Sequence, residues 1–290
     1  MTARIDIINQ TQYVRTEKET CPICGKDNGT GRKIKGYLGD MLYITLCHDC
    51  QIMYQNPKPT PQATLAYMNS LWADKVRFDY VRENEAILRA REDMMVLNSV
   101  CPKPGKLLDF GAGIGAFTRV AMDDGWQVHG TERSDTAIKR AKDEFGIELM
   151  RDIPDEKYDA ITLLDVIEHL RKPAEIVQIL GNHLKIGGKL ILSTGNYQSW
   201  PCLMLGDKWA LFQMDHLFFF TPQSLKSLLE NCGLSNFQLL TDFNQRLPNL
   251  QNVKNPITYI RQHIARNRAH KLWPGIADYE VMVAVATRTA

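Results

Sequence analysis

The stretch that decides the fold is LLDFGAGIGAF, residues 107–117. Two leucines and an aspartate belong to a short strand, and the glycines after them turn the chain into a helix. Read as Gly111, Gly113 and Ala116, the pattern is G-x-G-x-x-A, the dinucleotide fingerprint in which a helix N-terminus receives a pyrophosphate. Read as Gly111, Gly113 and Gly115, it is G-x-G-x-G behind Asp109, which suits a sulfonium cofactor. Glu132 ends the next strand, 21 residues after Gly111, where an acid can accept both ribose hydroxyls of an adenosine, and it serves either reading. Asp109 separates them: a carboxylate two residues ahead of the glycines opposes a phosphate but favours a sulfonium or an α-ammonium. S-adenosylmethionine is therefore expected, and NAD is not.

Outward from this loop, short apolar runs alternate with amphipathic ones. KLLDF precedes a helix over 115–124, WQVHGTE a helix over 134–145, and YDAITLLDV a helix from about Pro173, after which comes GGKLILST. Strands separated by helices at this spacing mean a parallel sheet with right-handed crossovers.

LLDFGAGIGAFTRVAMDDGWQVHGTERS, YDAITLLDVIEHLRKP and LKIGGKLILSTGN, in that order, resemble the motif series of class I S-adenosylmethionine-dependent methyltransferases over about residues 105–240. The resemblance implies an α/β, Rossmann-like sheet of seven strands ordered 3-2-1-4-5-7-6, with YEVMVAVATR as the returning antiparallel strand. It also implies that Asp109, Gly111, Ala112 and Gly113 surround the methionine part of the cofactor and Glu132 its ribose, with Gly115 in the same cofactor-binding loop. Asp152 and Ile153, in ELMRDIPDE, would touch the adenine, and Asp165 would lie near the methionine moiety. Glu168 and His169, in DVIEHL, are open to either a solvated or capping role or a catalytic one.

Ahead of this domain, Cys21, Cys24, Cys47 and Cys50 form two C-x2-C pairs. Each pair points two thiolates at one spot, and two pairs complete a closed tetrahedral zinc site without an open position, so the zinc expected there is structural. KIKGYLGDMLYITLC between them alternates like the strands of a ribbon, and His48 is a weaker candidate ligand than the four thiols. Cys101, Cys202 and Cys232 have no such partners and read as small buried side chains. The reading divides the chain into a zinc ribbon over 1–57, a linker and packing helices over 58–104, and a methyltransferase domain over 105–290 with a basic helical insert at about 250–275. In the second part, prolines 57, 59 and 61 precede a helix, and Ile87, Leu88, Met95, Leu97 and Val100 fall at helical spacing.

On the acceptor side, WALFQMDHLFFFTP follows the fifth strand. His216 is the candidate proton acceptor, with Asp215 raising its basicity; the alternative is that His216 only orients the loop, anchored by Phe218, Phe219 and Phe220, through a backbone hydrogen bond. A four-cysteine ribbon combined with DHLFFFTP resembles bacterial methyltransferases of nucleotide-linked sugars and related cell-surface or natural-product intermediates. Sugar C-methyltransferases of that group carry a tyrosine where this chain has Gln213, which argues against carrying over their dyad mechanism.

The competing readings are a zinc-ribbon RNA methyltransferase and a non-catalytic scaffold. LLDVIEHL lacks the Pro-Pro-aromatic clamp used on exocyclic base amines, and the intact Asp109, glycines and Glu132 oppose the scaffold. A net charge of +2 over 290 residues gives no global attraction for nucleic acid. The expected partner is thus a small acceptor, anionic or sugar-like; Arg261, His263, Arg266, Arg268, His270 and Lys271 of the insert, with apolar residues between them, suit a phosphate-bearing substrate, an anionic membrane surface or RNA, or form a solvated face. The N-terminus lacks the apolar core of a signal peptide and no run approaches the ~20 apolar residues of a spanning helix, so the chain is expected in the cytoplasm.

Overall fold

The computed structural model describes residues 18–37, 39–73, 83–240 and 280–289. The basic insert expected at about 250–275 lies outside them. Two sheets organise the chain. The larger is built from β4 (Lys106–Phe110), β5 (Gln127–Thr131), β6 (Tyr158–Leu164), β7 (Leu184–Gly195), β9 (Leu234–Leu239) and β10 (Val281–Arg288), in the order β5-β4-β6-β7-β10-β9. The first four are mutually parallel, and β10 runs antiparallel to both β7 and β9. This is the expected series with its last strand returning. The third position of that series is a single parallel bridge, Thr131 to Met150, and not a strand. ELMRDIPDE has too few apolar side chains to cover both faces of a parallel strand, so only Met150 pairs.

Leu107, Leu108, Ile161, Leu163, Leu190, Ile191 and Leu192 fill the sheet interior, as a parallel sheet buried on both faces requires. The helices after β4 and β5 are α3 (Ala116–Asp123) and α4 (Asp135–Phe145), the latter capped by Ser134, whose hydroxyl accepts from Ala137 N, and ended by Gly146 in a left-handed conformation. Before the sheet come α1 (Pro61–Ala73) and α2 (Glu83–Val100). The buried stripe of α2 is Ala86, Ala90, Met94 and Leu97; Leu88 and Met95, expected to pack, are exposed. The two alanines let the helix backbone approach α3, which the larger residues would prevent.

The smaller sheet takes strands from both sides of residue 57. β1 (Gly29–Lys35), β2 (Met41–Cys47) and β3 (Met53–Gln55) form the antiparallel ribbon, and β8 (Phe218–Phe219) adds to its edge, with Met53 opposite Phe219 and Tyr54 opposite Phe218. The phenylalanine run supplies the reason. Phe218, Phe219 and Phe220 are all buried, and pairing β8 with β3 satisfies backbone groups that would otherwise be lost on burial. Cys21, Cys47, Ile52 and Tyr54 consequently share one core with Leu163, Leu192 and Met282 of the large sheet.

Candidate active site

The glycine loop leaves β4 with positive φ at Gly111 (+78°), Gly113 (+54°) and Gly115 (+80°), the last preceding α3. At Gly111 both conformation and space demand glycine, since a Cβ there would lie 2.6 Å from Val166 Cγ2. The Gly111 and Ala112 amides both donate to the Thr131 carbonyl at 2.9 Å, tying the turn to the end of β5. Glu132 follows. Its carboxylate accepts from Gly113 N (3.0 Å), Arg133 N (2.7 Å) and Ser134 N (2.8 Å), and so is held against the loop.

Asp109 is 2% exposed and accepts from the hydroxyls of Thr118 (2.6 Å) and Thr162 (3.0 Å). Burial pushes its carboxyl up to about 6 in spite of those two hydrogen bonds. Asp165 follows β6 with φ of +54°; its amide donates to Ser193 Oγ (2.9 Å), and that hydroxyl donates to Asp165 Oδ1 (2.8 Å). Arg89 of α2 forms an ion pair with the other carboxylate oxygen, a partner that sequence reasoning missed. Asp152 is exposed and Ile153 half-buried, two and three residues beyond the Met150 bridge.

One 3-10 turn, Ile167–His169, follows β6 beside Val166 and carries the acceptor side. Glu168 is 4% exposed, which excludes the solvated role considered for it; Thr194 Oγ1 donates to it at 3.0 Å, and burial raises its carboxyl above the ordinary range. His169 and His216 meet edge to face with ring centroids 4.7 Å apart. One ligand-capable atom each from Glu168, His169 and His216 lie within 4.8 Å of one another.

The expected effect of Asp215 on His216 is outweighed. Burial, then His169, pull His216 down to about 4, and the Asp215 carboxylate lies nearer His169, at 3.6 Å from Nδ1. Gln213 turns away, its amide donating to the Ala210 carbonyl at 2.8 Å. The loop itself is held from the ribbon. The buried amide of Gln55 donates to the carbonyls of Met214 and His216, both at 2.9 Å, and Tyr37 N donates to Phe212 O at 3.0 Å.

Cys21, Cys24, Cys47 and Cys50 converge at the turns of the ribbon, all four sulfurs within 4.8 Å of one another. Cys24 and Cys47 are 3.8 Å apart, the edge of a tetrahedron with metal–sulfur bonds of ~2.3 Å. Burial pushes Cys21 up to about 11 and raises Cys50 as well, while at Cys24 burial is outweighed by hydrogen bonds from the Lys26 backbone and the neighbouring sulfurs; four sulfurs this close are the donor set of a cation. The set therefore fits a closed metal site. His48 instead pairs with Thr30 Oγ1 at 2.8 Å.

A parallel sheet with one returning strand, a glycine turn after its first strand and an acid after its second define the class of S-adenosylmethionine-dependent methyltransferases. Residues 77–239 match the family described as "Methyltransferase domain", more than half of the chain, and the chain belongs to that family. It is an S-adenosylmethionine-dependent methyltransferase. Among curated proteins it is similar to the "Ubiquinone biosynthesis O-methyltransferase" of Idiomarina loihiensis, 30% identical over 33% of this chain and 45% of that protein. The protein of the same name from Shewanella sp. (strain ANA-3) is 27% identical over 44% of this chain and 63% of its own. The chain thus spans about half to two thirds of the length of these relatives. Among solved structures, an S-adenosylmethionine-dependent methyltransferase from Thermotoga maritima superposes with a TM-score of 0.53 at 15% identity, over 78% of this chain and 99% of that one. The plantazolicin methyltransferase BamL, solved with S-adenosylhomocysteine, gives 0.52 at 17% identity, over 79% and 97%. Those two likenesses concern the fold. Among the described residues no helix is long and apolar enough to cross a membrane.

Proposed function

We propose that this chain methylates a hydroxyl of a small polar acceptor, a nucleotide-linked sugar or a related cell-surface or natural-product intermediate, at the Glu168–His169–His216 cluster. The observation that carries the reading is the adjacency of the two half-sites: Val166 packs against Gly111 of the cofactor loop, and the cluster begins two residues later. The names of the curated relatives, O-methyltransferases, favour an oxygen acceptor.

Bound S-adenosylmethionine supplies an electrophilic methyl group on a sulfonium. Glu132, braced by three backbone amides, is set to accept from the ribose hydroxyls; Asp109, beneath the glycines, contributes negative potential toward the methionine ammonium, with Gly111, Ala112, Gly113 and Gly115 allowing close approach. Asp165 would face the methionine moiety, and Asp152 and Ile153 the adenine. His216, a neutral imidazole at neutral pH, stands on the acceptor side, where the cluster draws the proton from the attacking hydroxyl. We also infer that Cys21, Cys24, Cys47 and Cys50 hold a structural zinc ion, on the strength of their tetrahedral spacing.

Methyl-labelled S-adenosylmethionine offered with nucleotide sugars, simple polyols and RNA tests the reading. Label is expected on a hydroxyl of the small acceptors. His216→Ala should keep cofactor affinity and lose ~10² to 10⁴ in turnover. Label entering RNA alone, or wild-type turnover in the variant, would overturn it.

A further inference from the structure

We propose that Glu168, His169 and His216 hold a first-row divalent metal ion whose open coordination positions take the acceptor oxygen. The proposal depends on the methyl-transfer reading only for the identity of that oxygen. Two imidazoles and one carboxylate are a recurrent donor set for such ions, and three protein ligands leave room for substrate. Bonds of ~2.0 to 2.2 Å to nitrogen and oxygen put ligand atoms at most ~4.4 Å apart, so a set already within 4.8 Å closes by small rotations of three side chains.

The surroundings have the character of a supporting shell. His169 Nδ1 faces the Asp215 backbone carbonyl at 3.0 Å, which fixes Nδ1 as the donor and leaves Nε2 as the basic nitrogen. The Asp215 carboxylate lies 3.6 Å from the same Nδ1, completing a carboxylate–histidine pairing. Thr194 holds the Glu168 carboxylate from one side. Glu168 is nevertheless a buried acid without a lysine or arginine ion pair among the described residues. Asp215 is 4% exposed, and its Oδ1 has no hydrogen-bond partner among them. Two buried carboxylates beside two imidazoles and no fixed cation are costly when charged, and a divalent ion supplies the missing charge.

With the ion in place His216 serves as a ligand instead of taking the proton itself, and the ion activates the acceptor, since a divalent ion lowers the pKa of an oxygen bound to it. The hydroxyl then releases its proton to water. Its lone pair forms the new O–C bond while the C–S bond breaks, and that electron pair returns to sulfur as a neutral thioether.

Cobalt(II) added to zinc-loaded protein is the probe, because it binds more weakly than zinc and does not displace it from thiolates. One equivalent of cobalt per chain is expected by dialysis and elemental analysis, with zinc retained and a visible spectrum free of thiolate charge transfer. Glu168→Gln and, as a second variant should that one misfold, His169→Asn should each weaken cobalt binding at least tenfold, with melting temperature and S-adenosylmethionine affinity kept. No cobalt beyond the zinc, or equal binding in folded variants, overturns the proposal. Calorimetry with S-adenosylmethionine on the same samples separates the two readings. Cofactor binding without cobalt leaves the methyltransferase standing and removes the ion; cobalt without cofactor does the reverse.

Discussion

Gln55→Leu tests how the ribbon controls the acceptor side. Gln55 ends β3, is fully buried, and sends its amide into the loop that bears His216, donating at 2.9 Å to the Met214 and His216 carbonyls. Leucine keeps most of the volume, so the loss is polar. Two buried carbonyls lose their donor at ~1 to 3 kcal/mol each, partly recovered as the loop relaxes, which puts the cost near 2 to 4 kcal/mol. At ~2 to 4 °C per kcal/mol for a chain of this size, the melting temperature should fall by about 4 to 16 °C. A loop relaxed by ~1 Å should also lower turnover by about 10²-fold at saturating cofactor, because in-line attack tolerates little displacement. S-adenosylmethionine affinity should not change, since the side-chain hydrogen bonds of Gln55 to Met214 and His216 brace the acceptor loop and not the glycine turn. Scanning calorimetry, cofactor titration and single-turnover methyl transfer on one preparation read all three quantities. Unchanged melting with unchanged turnover would refute the bracing argument, and loss of cofactor affinity would show that the two half-sites are not separately supported.

Three further outcomes follow from the geometry. Asp109 stands at about 6 in the free protein, and a nearby ammonium favours its carboxylate, so cofactor affinity should be full above about pH 6 and fall up to ~10-fold per pH unit below it, with proton release seen by calorimetry between pH 5 and 6. The same group has a folded pKa above its ordinary 3.8, so its contribution to the stability of the free protein is complete below that value and is lost as pH rises through about 6; a flat affinity profile would place the ammonium elsewhere. Gly111→Ala should cost ~2 to 4 kcal/mol, from a left-handed backbone and a Cβ 2.6 Å from Val166, and should abolish measurable cofactor binding; melting and titration check it. Cys47→Ser or prolonged chelation should release one zinc per chain and end turnover, with the large sheet still folded enough to bind cofactor, as metal analysis beside circular dichroism would record.

What could be read from the sequence was local. Asp109, the three glycines and Glu132 sit within one strand–turn–helix–strand unit, where each residue type answers a constraint a few positions away, and the paired C-x2-C turns are equally self-contained. What could not be read was long-range. β8 is two residues long and pairs with a strand more than 160 positions earlier, too short for any periodicity to register. Gln55 looks like an ordinary polar strand end until the carbonyls of 214 and 216 come to meet it. Arg89 belongs to a helix whose buried stripe is carried by alanines, and so its exposed arginine gives no hint of an ion pair with Asp165. Glu168 is an acid flanked by a histidine, yet buried, because Ile167 drives the 3-10 turn into the core.

These long-range contacts change what the ribbon is for. A closed four-thiolate site usually stabilises a small module on its own behalf, but here the cluster ties the turn before β1 to the turn between β2 and β3, and the outer edge of β3 is where β8 docks. The loop that ends in β8 carries Asp215 and His216, and it is fixed from the ribbon by Gln55 and by the Tyr37 amide. The cofactor half of the site depends on βα turns that would form without any of this. The acceptor half does not, since its imidazole is presented by a segment whose edge partner and buried donor come from β3 of the ribbon and whose aromatic side chains pack on Ile34, Leu42 and Ile44. Changes in the ribbon should therefore register first in acceptor recognition and turnover, and only later in the binding of S-adenosylmethionine.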